Sequence, residues 1–406
     1  MTVRIPEQPW LTASSTRAVM AALEAFGGPG CARFVGGCVR NALIGQPVAD
    51  IDIATTLTPE QTDGAIRAAG LKSVPTGIAH GTVTAVAERR PFEITTLRRD
   101  VSTDGRNATV AFTDDWAEDA ARRDFRLNAL YADADGQVFD PTGEGIADAL
   151  AGRIVFVGDP ETRIREDFLR ILRFFRFHAW YGRGAPDAAA LAACRALADG
   201  MTRLSAERVS SELMKLLSAP DPRAAVAAMD AAGVLSRVLP EGRLSSLFDA
   251  AVEQGADPVA RLMVLLPPDE AVIRQAAARL RLSNAVRDRL AFAVQALPGV
   301  GLGMGDREAR AALYRHNAQA VSDAIRWRWA EAPDQADEAR HLLKLADGWT
   351  RPSLPVGGRD LARLGVAPGP ETGRLLKAFE AGWIAEDFPV AGHAERLAAL
   401  VSARRG

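Results

Sequence analysis

Two aspartates two positions apart, Asp50 and Asp52, are the first residues of the chain whose types and spacing could do chemistry. On a β-strand successive side chains alternate between the two faces, so this pair would share one face. Carboxylate oxygens are preferred Mg²⁺ ligands, and like charges side by side on a strand repel each other unless a cation lies between them. An isolated Asp-x-Asp is also ordinary at the solvated end of a strand, so the pair needs a second signal.

That second signal is a glycine turn in the segment FVGGCVR at 34–40. Gly36 and Gly37 would let backbone N–H groups approach a triphosphate closely, and Arg40 would add a positive charge. A Gly-Gly turn between a strand and a helix is common in itself. The turn and the carboxylate pair within one strand, turn, helix and strand unit together predict a nucleotidyl-transfer site.

The elements that must position these residues follow from hydrophobic periodicity. From about residue 160 onward the period is helical, with Ala, Leu and Arg dominant and with Pro and Gly at the breaks. The predicted fold class is therefore α+β, with a mixed β-sheet head followed by helices, and with domain boundaries near 150, 220 and 350. The strands are predicted at 32–35, 51–54, 81–87, 92–97 and 129–132.

Composition limits the class of protein. The chain has 406 residues, of which 48% are hydrophobic and 25% charged, as in folded chains of two or more domains. No apolar run approaches the roughly 18 residues of a membrane span, and the amino terminus lacks the apolar core of a signal peptide, so we expect a cytoplasmic protein without a membrane contact. The three cysteines have no metal-ligand spacing, which argues against structural zinc. A net charge of −2 neither indicates nor excludes an RNA partner, and no protein partner is evident.

A second group of polar residues, Arg122, Arg123, Asp124 and Asn128, precedes the predicted strand at 129–132. Its simplest interpretation is a surface ion pair that leads into a core strand. The group also offers cations for phosphates, and carboxylate and amide groups for ribose hydroxyls. Near the aspartates, it would complete a nucleotide site.

A third segment, 166–177, is predicted to be a helix in which polar residues recur every three positions among large apolar ones. Asp167 and Arg170 would share a face, while Arg173 and Arg176 would wind round the helix, because three residues fall about 60° short of a full turn. An Asp/Arg pair at this spacing is ordinarily a surface salt bridge. Arginines embedded among Phe, Leu and Ile, however, need anionic or hydrogen-bonding partners.

A carboxylate that accepts beside a guanidinium that donates can imitate the Watson–Crick edge of a base. Cytosine and adenine present an amino donor beside a ring-nitrogen acceptor, whereas uracil and guanine present an oxygen beside an N–H. Asp167 and Arg170 are therefore predicted to bind C and A and to reject U and G. Arg173 and Arg176 would support this pair or reach a phosphate.

With these three motifs in order, the chain resembles the class II tRNA nucleotidyltransferases, the family of CCA-adding enzymes that also contains bacterial poly(A) polymerases. The resemblance covers nearly the whole chain. It implies a nucleotidyltransferase-type head at 1–150, a helical neck with the base-reading motif at 151–220, a helical body at 221–350 and a helical, tRNA-binding tail at 351–406. It also implies Mg²⁺ as cofactor, CTP and ATP as substrates, and tRNA as acceptor.

Weaker matches follow in the same order along the chain. Asp140 and Asp148 resemble the hinge between head and neck, residues 203–208 with Glu212 match the neck, and residues 358–361 and 365–370 match the tail.

Four positions depart from the family pattern. Asn41 stands where the family usually has Asp, Arg126 where it usually has Thr, Val155 where the hinge usually carries Arg, and the Asn-Ala at 107–108 where a His-Pro is common. None removes a metal ligand or a base-reading residue. Val155 is of most interest, because the resemblance implies a hinge that reorganises when specificity passes from CTP to ATP.

Within the family, the segments 76–84 and 92–98 resemble the CCA-adding type, since the arginine-rich strand typical of the poly(A) branch is absent. Residues 98–115, with Asp100 and Arg106, resemble an intact flexible loop, whose shortening marks enzymes that add only CC. Full CCA addition is therefore predicted. A poly(A) polymerase and a catalytically idle RNA-binding protein remain as alternatives.

The mechanism that the resemblance implies is metal-assisted nucleotidyl transfer without a covalent intermediate. Mg²⁺ held by Asp50 and Asp52 would activate the 3′-hydroxyl of tRNA and bridge the triphosphate while pyrophosphate leaves. Glu93 lies on a strand that could run beside the aspartates, as a third catalytic carboxylate or as a structural residue. His80 is either a substrate contact or a turn residue.

Overall fold

The computed structural model of the chain describes residues 3–77, 81–104 and 107–403, with the backbone alone for residue 76, for 100–104 and for 107–110. The chain divides into two compact units, Met1–Pro240 and Glu241–Gly406. His80 and Arg106, to which the sequence assigns possible roles, lie outside the described residues, as do the side chains of Asp100 and Asn107. None of the helices in the described ranges has the length and apolarity needed to cross a bilayer.

The first unit contains the β-structure. The strands are β1 (Ala32–Val35), β2 (Asp52–Thr55), β3 (Lys72–Gly77), β4 (Thr82–Ala87), β5 (Arg90–Thr96), β6 (Arg98–Asp104), β7 (Asn107–Phe112), β8 (Tyr131–Ala132) and β9 (Val138–Phe139). They form a seven-stranded sheet in the order β3-β4-β5-β2-β1-β8-β9 and a separate pair of β6 with β7. The β2–β5 pair is parallel and the other pairs are antiparallel, so the sheet is mixed as predicted.

Helices surround this sheet and continue beyond it in the first unit. They are α1 (Pro9–Thr12), α2 (Ser14–Gly27), α3 (Gly37–Leu43), α4 (Pro59–Ala68), α5 (Trp116–Ala121), α6 (Gly145–Ala151), α7 (Pro160–Glu166), α8 (Leu169–Tyr181), α9 (Ala188–Leu197), α10 (Ala206–Leu217), α11 (Arg223–Ala231) and α12 (Leu235–Val238). Short 3-10 helices cover Arg126–Asn128 and Ala198–Arg203.

In its described residues, the second unit consists of helices and the segments that connect them. Its helices are α13 (Ser246–Glu253), α14 (Pro258–Leu265), α15 (Glu270–Arg279), α16 (Asn284–Ala296), α17 (Asp306–Arg315), α18 (Ala318–Glu331), α19 (Ala336–Asp347), α20 (Gly358–Arg363), α21 (Pro370–Ala385) and α22 (His393–Ser402). One of its apolar clusters is centred on Tyr314, Leu361, Phe379, Trp383 and Leu397. The predicted α+β class, a mixed sheet followed by helices, is confirmed.

Local sequence signals explain several boundaries. The Thr58 hydroxyl accepts a hydrogen bond from the backbone N–H of Gln61, whose side chain accepts one from the backbone of Thr58, and Pro59 occupies the first turn of α4. Alternation along β5 buries Phe92 and Ile94 and leaves Glu93 on the opposite face. The same alternation therefore places Phe92 and Ile94 in the core and the carboxylate of Glu93 on the other face of the sheet.

All five predicted strands are found within two residues of their predicted ends. The strand predicted at 129–132 covers only Tyr131–Ala132, because the chain before it turns through the 3-10 helix Arg126–Asn128. Strand β2 begins at Asp52, so Asp50 precedes the strand rather than lying on it.

The predicted helix at 166–177 is wrong in its first turn. Helix α7 ends at Glu166, and Asp167 has an extended backbone with φ −152° and ψ 106°. Its Oδ1 accepts a hydrogen bond from the backbone N–H of Leu169 at 3.1 Å, where α8 begins. Short polar side chains compete with helical hydrogen bonds in this way and favour helix starts. The prediction that Asp167 and Arg170 share one face of a helix is therefore wrong.

Candidate active site

Asp52 and Glu93 occupy matching positions on the neighbouring parallel strands β2 and β5. Parallel partners lie about 4.8 Å apart and point to the same face of the sheet, so the two carboxylates are neighbours. Burial raises the pKa of Asp52, the charges of Glu93 and Asp50 raise it further, and Arg123 lowers it. A bound cation would relieve this accumulation of negative charge.

Asp50 lies outside the strand and is exposed, whereas Asp52 is partly buried. The charge of Asp50 nevertheless raises the pKa of the Asp52 carboxyl. Within the described ranges, no cluster of three or more His, Cys, Asp and Glu side chains is arranged to hold a metal ion by itself. Carboxylate oxygens are preferred by hard divalent cations, so the donor set fits such an ion, which completes its coordination with phosphate or water oxygens.

Asp52 and Glu93 face a cleft of 460 Å³ in the first unit, whereas the predicted metal ligand Asp50 is not among its lining residues. Its lining brings together residues of both the β-sheet and α8. The lining residues are Val35, Gly36, Gly37, Arg40, Asp52, Ile53, Glu93, Thr95, Arg98, Arg122, Arg123, Asp124, Asn128, Arg173 and Phe177.

The glycine turn forms one wall of the cleft between β1 and α3. Gly36 has a φ of +69°, a conformation that residues with a side chain rarely adopt. Its backbone N–H donates to the carbonyl of Leu130 at 3.0 Å, which anchors the turn to the segment before β8. A Cβ at Gly36 would lie 3.6 Å from Nη1 of Arg123, so the turn brings bare backbone close to an arginine of the second motif.

Arg40 is buried beneath the cleft and held from several sides. Its Nη2 donates to the hydroxyl of Tyr181 at 2.9 Å and to Oδ1 of Asn41 at 2.8 Å, and its Nη1 donates to Asn128. The guanidinium also lies 4.0 Å from the centroid of the Tyr181 ring. Burial lowers the pKa of Arg40, with the charge of Tyr181 opposing it. The neutral amide of Asn41, one of the departures, thus suffices to orient this arginine.

Asp124 connects the second motif to α8. Nε of Arg173 donates to its Oδ2 at 2.8 Å, and Nδ2 of Asn128 and the backbone N–H of Phe125 donate to its Oδ1 at 3.0 and 2.8 Å. Burial raises the pKa of Asp124, but the charge of Arg173 and the hydrogen bond from Asn128 outweigh it and hold the pKa at about 2. Asp124, Asn128 and Arg173 therefore form one charged network at the cleft.

Asp119 is a site residue that sequence reasoning missed. It is 1% exposed and accepts from Arg122 Nη2 at 2.6 Å, from Arg123 Nη2 at 2.9 Å and from the Tyr131 hydroxyl at 2.7 Å. Burial raises its pKa, while Arg123 and Arg122 outweigh burial and hold the pKa at about 2. Its spacing of three and four residues from the two arginines, at the end of α5, was the signal that could have revealed it.

Asp167, Arg170 and Arg176 are absent from the cleft lining given above. Nη2 of Arg208 donates to Oδ2 of Asp167 at 2.6 Å, and Arg170 pairs with Glu166 and donates to the carbonyl of Arg163 at 2.8 Å. Arg176 lies 2.6 Å from Glu212, a carboxylate of α10 that is 5% exposed. Each predicted base-reading or supporting residue is thus fixed by a partner of opposite charge.

Two of the departures from the family pattern are neighbours in space. The backbone N–H of Arg126 donates to the carbonyl of Val155 at 3.0 Å. The Arg126 guanidinium pairs with Glu144 and lies 3.7 Å from Oδ2 of Asp148, which is 1% exposed. An arginine is therefore present beside position 155 although that position itself carries valine.

The chain is similar to known proteins in sequence and in fold. A family model described as the poly A polymerase head domain matches residues 32–155, and one described as a probable RNA and SrmB-binding site of polymerase A matches 185–244. The chain is 33% identical over 361 residues to the mitochondrial CCA tRNA nucleotidyltransferase 1 of Mus musculus, an alignment that covers 86% of this chain and 82% of the relative. It is 42% identical over 200 residues to a CCA-adding enzyme of Streptococcus pyogenes, which covers 49% of this chain and 48% of that one.

Solved structures show the same fold. The CCA-adding enzyme of Bacillus stearothermophilus in complex with CTP superposes with a TM-score of 0.77 at 24% identity, covering 98% of both chains. The chain belongs to the family of CCA-adding tRNA nucleotidyltransferases and poly(A) polymerases, and it is a nucleotidyltransferase. Nucleotidyltransferases of this family generally use a divalent metal ion, which the carboxylates of Asp52 and Glu93 fit.

Proposed function

We propose that this chain adds C, C and A, without a template, to the 3′ end of tRNA from CTP and ATP and releases pyrophosphate. The observation that carries this proposal is the Asp52–Glu93 pair on parallel strands, which faces a cleft bounded by the Gly36-Gly37 turn and by arginines. Relatives named CCA tRNA nucleotidyltransferase or CCA-adding enzyme support the choice of reaction.

The carboxylates of Asp50 and Asp52, with Glu93 as a third acidic group, would hold the metal ion, which we propose to be Mg²⁺. When bound, such an ion supplies charge neutralisation at the triphosphate and a lower pKa for the attacking 3′-hydroxyl. The burial of Asp52 weakens the competition of bulk water for its oxygens. Asp50 and Glu93 are exposed, and Glu93 lines the cleft beside Asp52.

The glycine turn and the arginines account for triphosphate binding. Gly36 and Gly37 expose backbone at the cleft wall, and Arg40 and Arg123 add positive charge to the same lining. Arg123 shares Asp119 with Arg122, so one buried carboxylate partly balances two guanidinium groups. The excess positive charge is available to phosphate oxygens.

Asp124 and Asn128 are the proposed ribose contacts. Both oxygens of Asp124 already accept hydrogen bonds from Asn128, Phe125 and Arg173. A ribose hydroxyl can therefore donate only to the lone pairs of Asp124 that remain free. We therefore assign Asp124 a second role, which is to hold Asn128 and Arg173 at the cleft.

Asp167 and Arg170 remain the proposed base-reading pair. The break between α7 and α8 removes the predicted shared helix face, and their partners Arg208 and Glu166 fix each side chain separately. A bound base would either displace Arg208 and Glu166 from these side chains or form hydrogen bonds with Asp167 and Arg170 beside the existing ion pairs. Arg173 and Arg176 would support the pair through Asp124 and Glu212.

The four-part division into head, neck, body and tail stays a proposal, with the tail as a tRNA-binding part. A cytoplasmic location also stays a proposal, since several relatives are mitochondrial proteins by name.

A poly(A) polymerase is the second candidate, because the matched head model carries that name. The two activities are separated by offering ATP alone to a tRNA transcript that ends in CC and to an unstructured RNA. A CCA-adding enzyme adds one A to the tRNA and leaves the unstructured RNA unextended. Repeated A addition to both RNAs would favour the poly(A) polymerase, and no addition to either with any nucleotide would favour the idle RNA binder.

A further inference from the structure

A pocket of 460 Å³ opens in the second unit, where the ends of α16 and α17, the start of α18 and the segment after α19 meet. Its lining, among the described residues, includes the arginines Arg315 and Arg351 and contains no carboxylate. The chain as a whole has more Asp and Glu (51) than Lys and Arg (49), so a cavity lined by cations alone is not explained by composition. The lining charge favours an anion.

The two arginines are exposed. In the described part of the chain, neither Arg315 nor Arg351 forms an ion pair, whereas Arg310 pairs with Asp387 at 2.6 Å. The guanidinium of Arg351 lies 4.6 Å from the ring centroid of Tyr314, which orients it without neutralising it. Both charges are therefore available to a ligand.

Two carboxylates that bond to residues at or beside the pocket, Glu380 and Glu270, are already engaged. Glu380 accepts from the Tyr314 hydroxyl at 2.8 Å, and Glu270 accepts from the amide of Gln295, a pocket residue, at 2.8 Å. Glu270 also lies 2.6 Å from Arg274. Neither carboxylate competes for the two pocket arginines within salt-bridge distance.

Aromatic rings border the same pocket. Phe292 is 41% exposed although it is a large apolar side chain, and Trp349 contacts the pocket with one part of its ring while packing on Phe388 with ring centroids 5.6 Å apart. The indole Nε1 of Trp349 is buried and has no hydrogen-bond acceptor among the described residues. Planar rings beside arginines are the combination that binds a base together with its phosphate.

The start of α18 adds to the positive potential. Asn317 caps this 14-residue helix, its Oδ1 accepting from the backbone N–H of Ala320 at 2.8 Å, and both Asn317 and Ala318 line the pocket. The amino end of a helix carries a partial positive charge. Burial and the neighbouring Arg315 lower the pKa of His316, so this pocket residue is a neutral hydrogen-bonding group near pH 7.

We propose that this pocket binds one nucleotide unit, with the phosphate at Arg315 and Arg351 and the base against Trp349 or Phe292. The ligand chemistry is that of a nucleotide, whether it belongs to an RNA strand or is free in solution. The pocket lacks the carboxylates that catalysis needs, so it is a binding site only. It is distinct from the catalytic cleft, because none of its lining residues belongs to the first unit.

The test uses the full chain labelled with 5-fluorotryptophan, in which Trp349→Phe identifies the fluorine resonance of Trp349. Inorganic phosphate, AMP and a single-stranded RNA pentanucleotide are titrated without a divalent metal. We expect the pentanucleotide to shift the Trp349 resonance saturably, and Arg315→Ala/Arg351→Ala to weaken this binding by roughly ten-fold or more. The salt dependence should lose about 0.7 units of slope per arginine. Arg340→Ala, an exposed arginine of the same unit, is the control.

Each outcome decides the proposal. If AMP shifts the Trp349 resonance at a lower concentration than the pentanucleotide does, the pocket binds free nucleotides. If the pentanucleotide acts at the lower concentration, the pocket binds RNA. No shift with either probe, or equal binding by the double variant and the control, overturns the proposal. The titration measures no turnover, so a negative result for this pocket does not contradict the proposed CCA addition. Likewise, a protein that adds no CCA can still show the Trp349 shift.

Discussion

Nε of Arg173 donates to Oδ2 of Asp124 at 2.8 Å, and this bond joins the helix that follows the base-reading motif to the segment that carries Arg122 and Arg123. Through Oδ1, the same carboxylate holds Asn128, which accepts in turn from Arg40 beside the glycine turn. All three sequence motifs therefore meet in one hydrogen-bonded network. A structural change in one motif should therefore alter the positions of side chains in the other two.

Acid should destabilise the first unit through Asp119 and Asp124. Both pKa values are about 2 in the folded protein, below the roughly 3.9 of an unfolded aspartate, so the stabilisation is present above about pH 4 and lost as the pH falls toward 2. Each carboxylate should contribute roughly 2–3 kcal/mol at neutral pH, and part of this is lost by pH 3. Urea unfolding at several pH values, followed by circular dichroism, measures this.

Asp124→Asn should unfold at lower urea than the wild type at pH 7 and should depend less on pH between 6 and 3. Glu60→Gln, which changes an exposed carboxylate of α4, is the control and should follow the wild type. An Asp124→Asn curve parallel to the wild-type curve would contradict the assigned network.

Removal of either aspartate of the predicted metal pair should abolish turnover. We expect Asp50→Ala and Asp52→Ala each to lower kcat by about 1,000-fold or more while tRNA binding is largely unchanged, because a carboxylate ligand acts on the transferred phosphoryl group rather than on RNA docking. Single-turnover incorporation of CMP and filter binding of tRNA measure the two effects. Substantial activity left in both variants would refute the metal-pair assignment.

Glu93→Gln tests whether Glu93 is the third carboxylate. Since Glu93 raises the pKa of Asp52 across the parallel strands, its neutralisation should lower that pKa and move the acid limb of the pH–rate profile to lower pH. If Glu93 also holds the metal, the concentration of Mg²⁺ required for half-maximal rate should rise. An unchanged metal requirement would leave Glu93 a structural residue.

Asp167→Ala and Arg170→Ala should each change which nucleotide is added. Loss of the accepting or the donating group should reduce discrimination against UTP and GTP by about 10-fold or more, since a paired hydrogen bond to a base is worth about 1–3 kcal/mol. Competition between CTP and UTP, read from sequenced products, measures this. Arg165→Ala, which removes an exposed arginine paired with Glu161, is the control. An unchanged preference in both variants would refute the base-reading assignment.

Arg126→Thr tests the pair of departures near Val155. The substitution leaves the buried Asp148 with Arg153 as its ion-pair partner and should lower the free energy of unfolding by about 1–3 kcal/mol. Arg67→Ala, which breaks an exposed pair with Asp63, should cost less than about 1 kcal/mol. Equal effects of the two substitutions in urea unfolding would show that Arg126 does not stabilise Asp148.

Five of the nine strands in the described residues, and most of the cleft lining, were predictable because their signals are local. Alternation gave β2 and β5, and the glycine turn and the three motifs named most of the cleft lining. What the sequence did not reveal depends on contacts between distant segments or on competing local bonds. Tyr181 supports Arg40 from 141 positions away, and Asp167 breaks a helix that periodicity favours because its side chain bonds to the backbone of Leu169. Asp119 was missed although its spacing to Arg122 and Arg123 was visible.

The most direct test of CCA addition is sequencing of the 3′ ends formed when the purified protein is given a tRNA transcript that lacks its terminal CCA, Mg²⁺, CTP and ATP. We predict the addition of C, C and A followed by a stop, and no addition by Asp52→Ala. Addition that ends at CC would indicate a defect near Val155 or in the segment 98–115, which contains β6 and β7. A long A tail, or no addition by the wild-type protein, would contradict the proposed function.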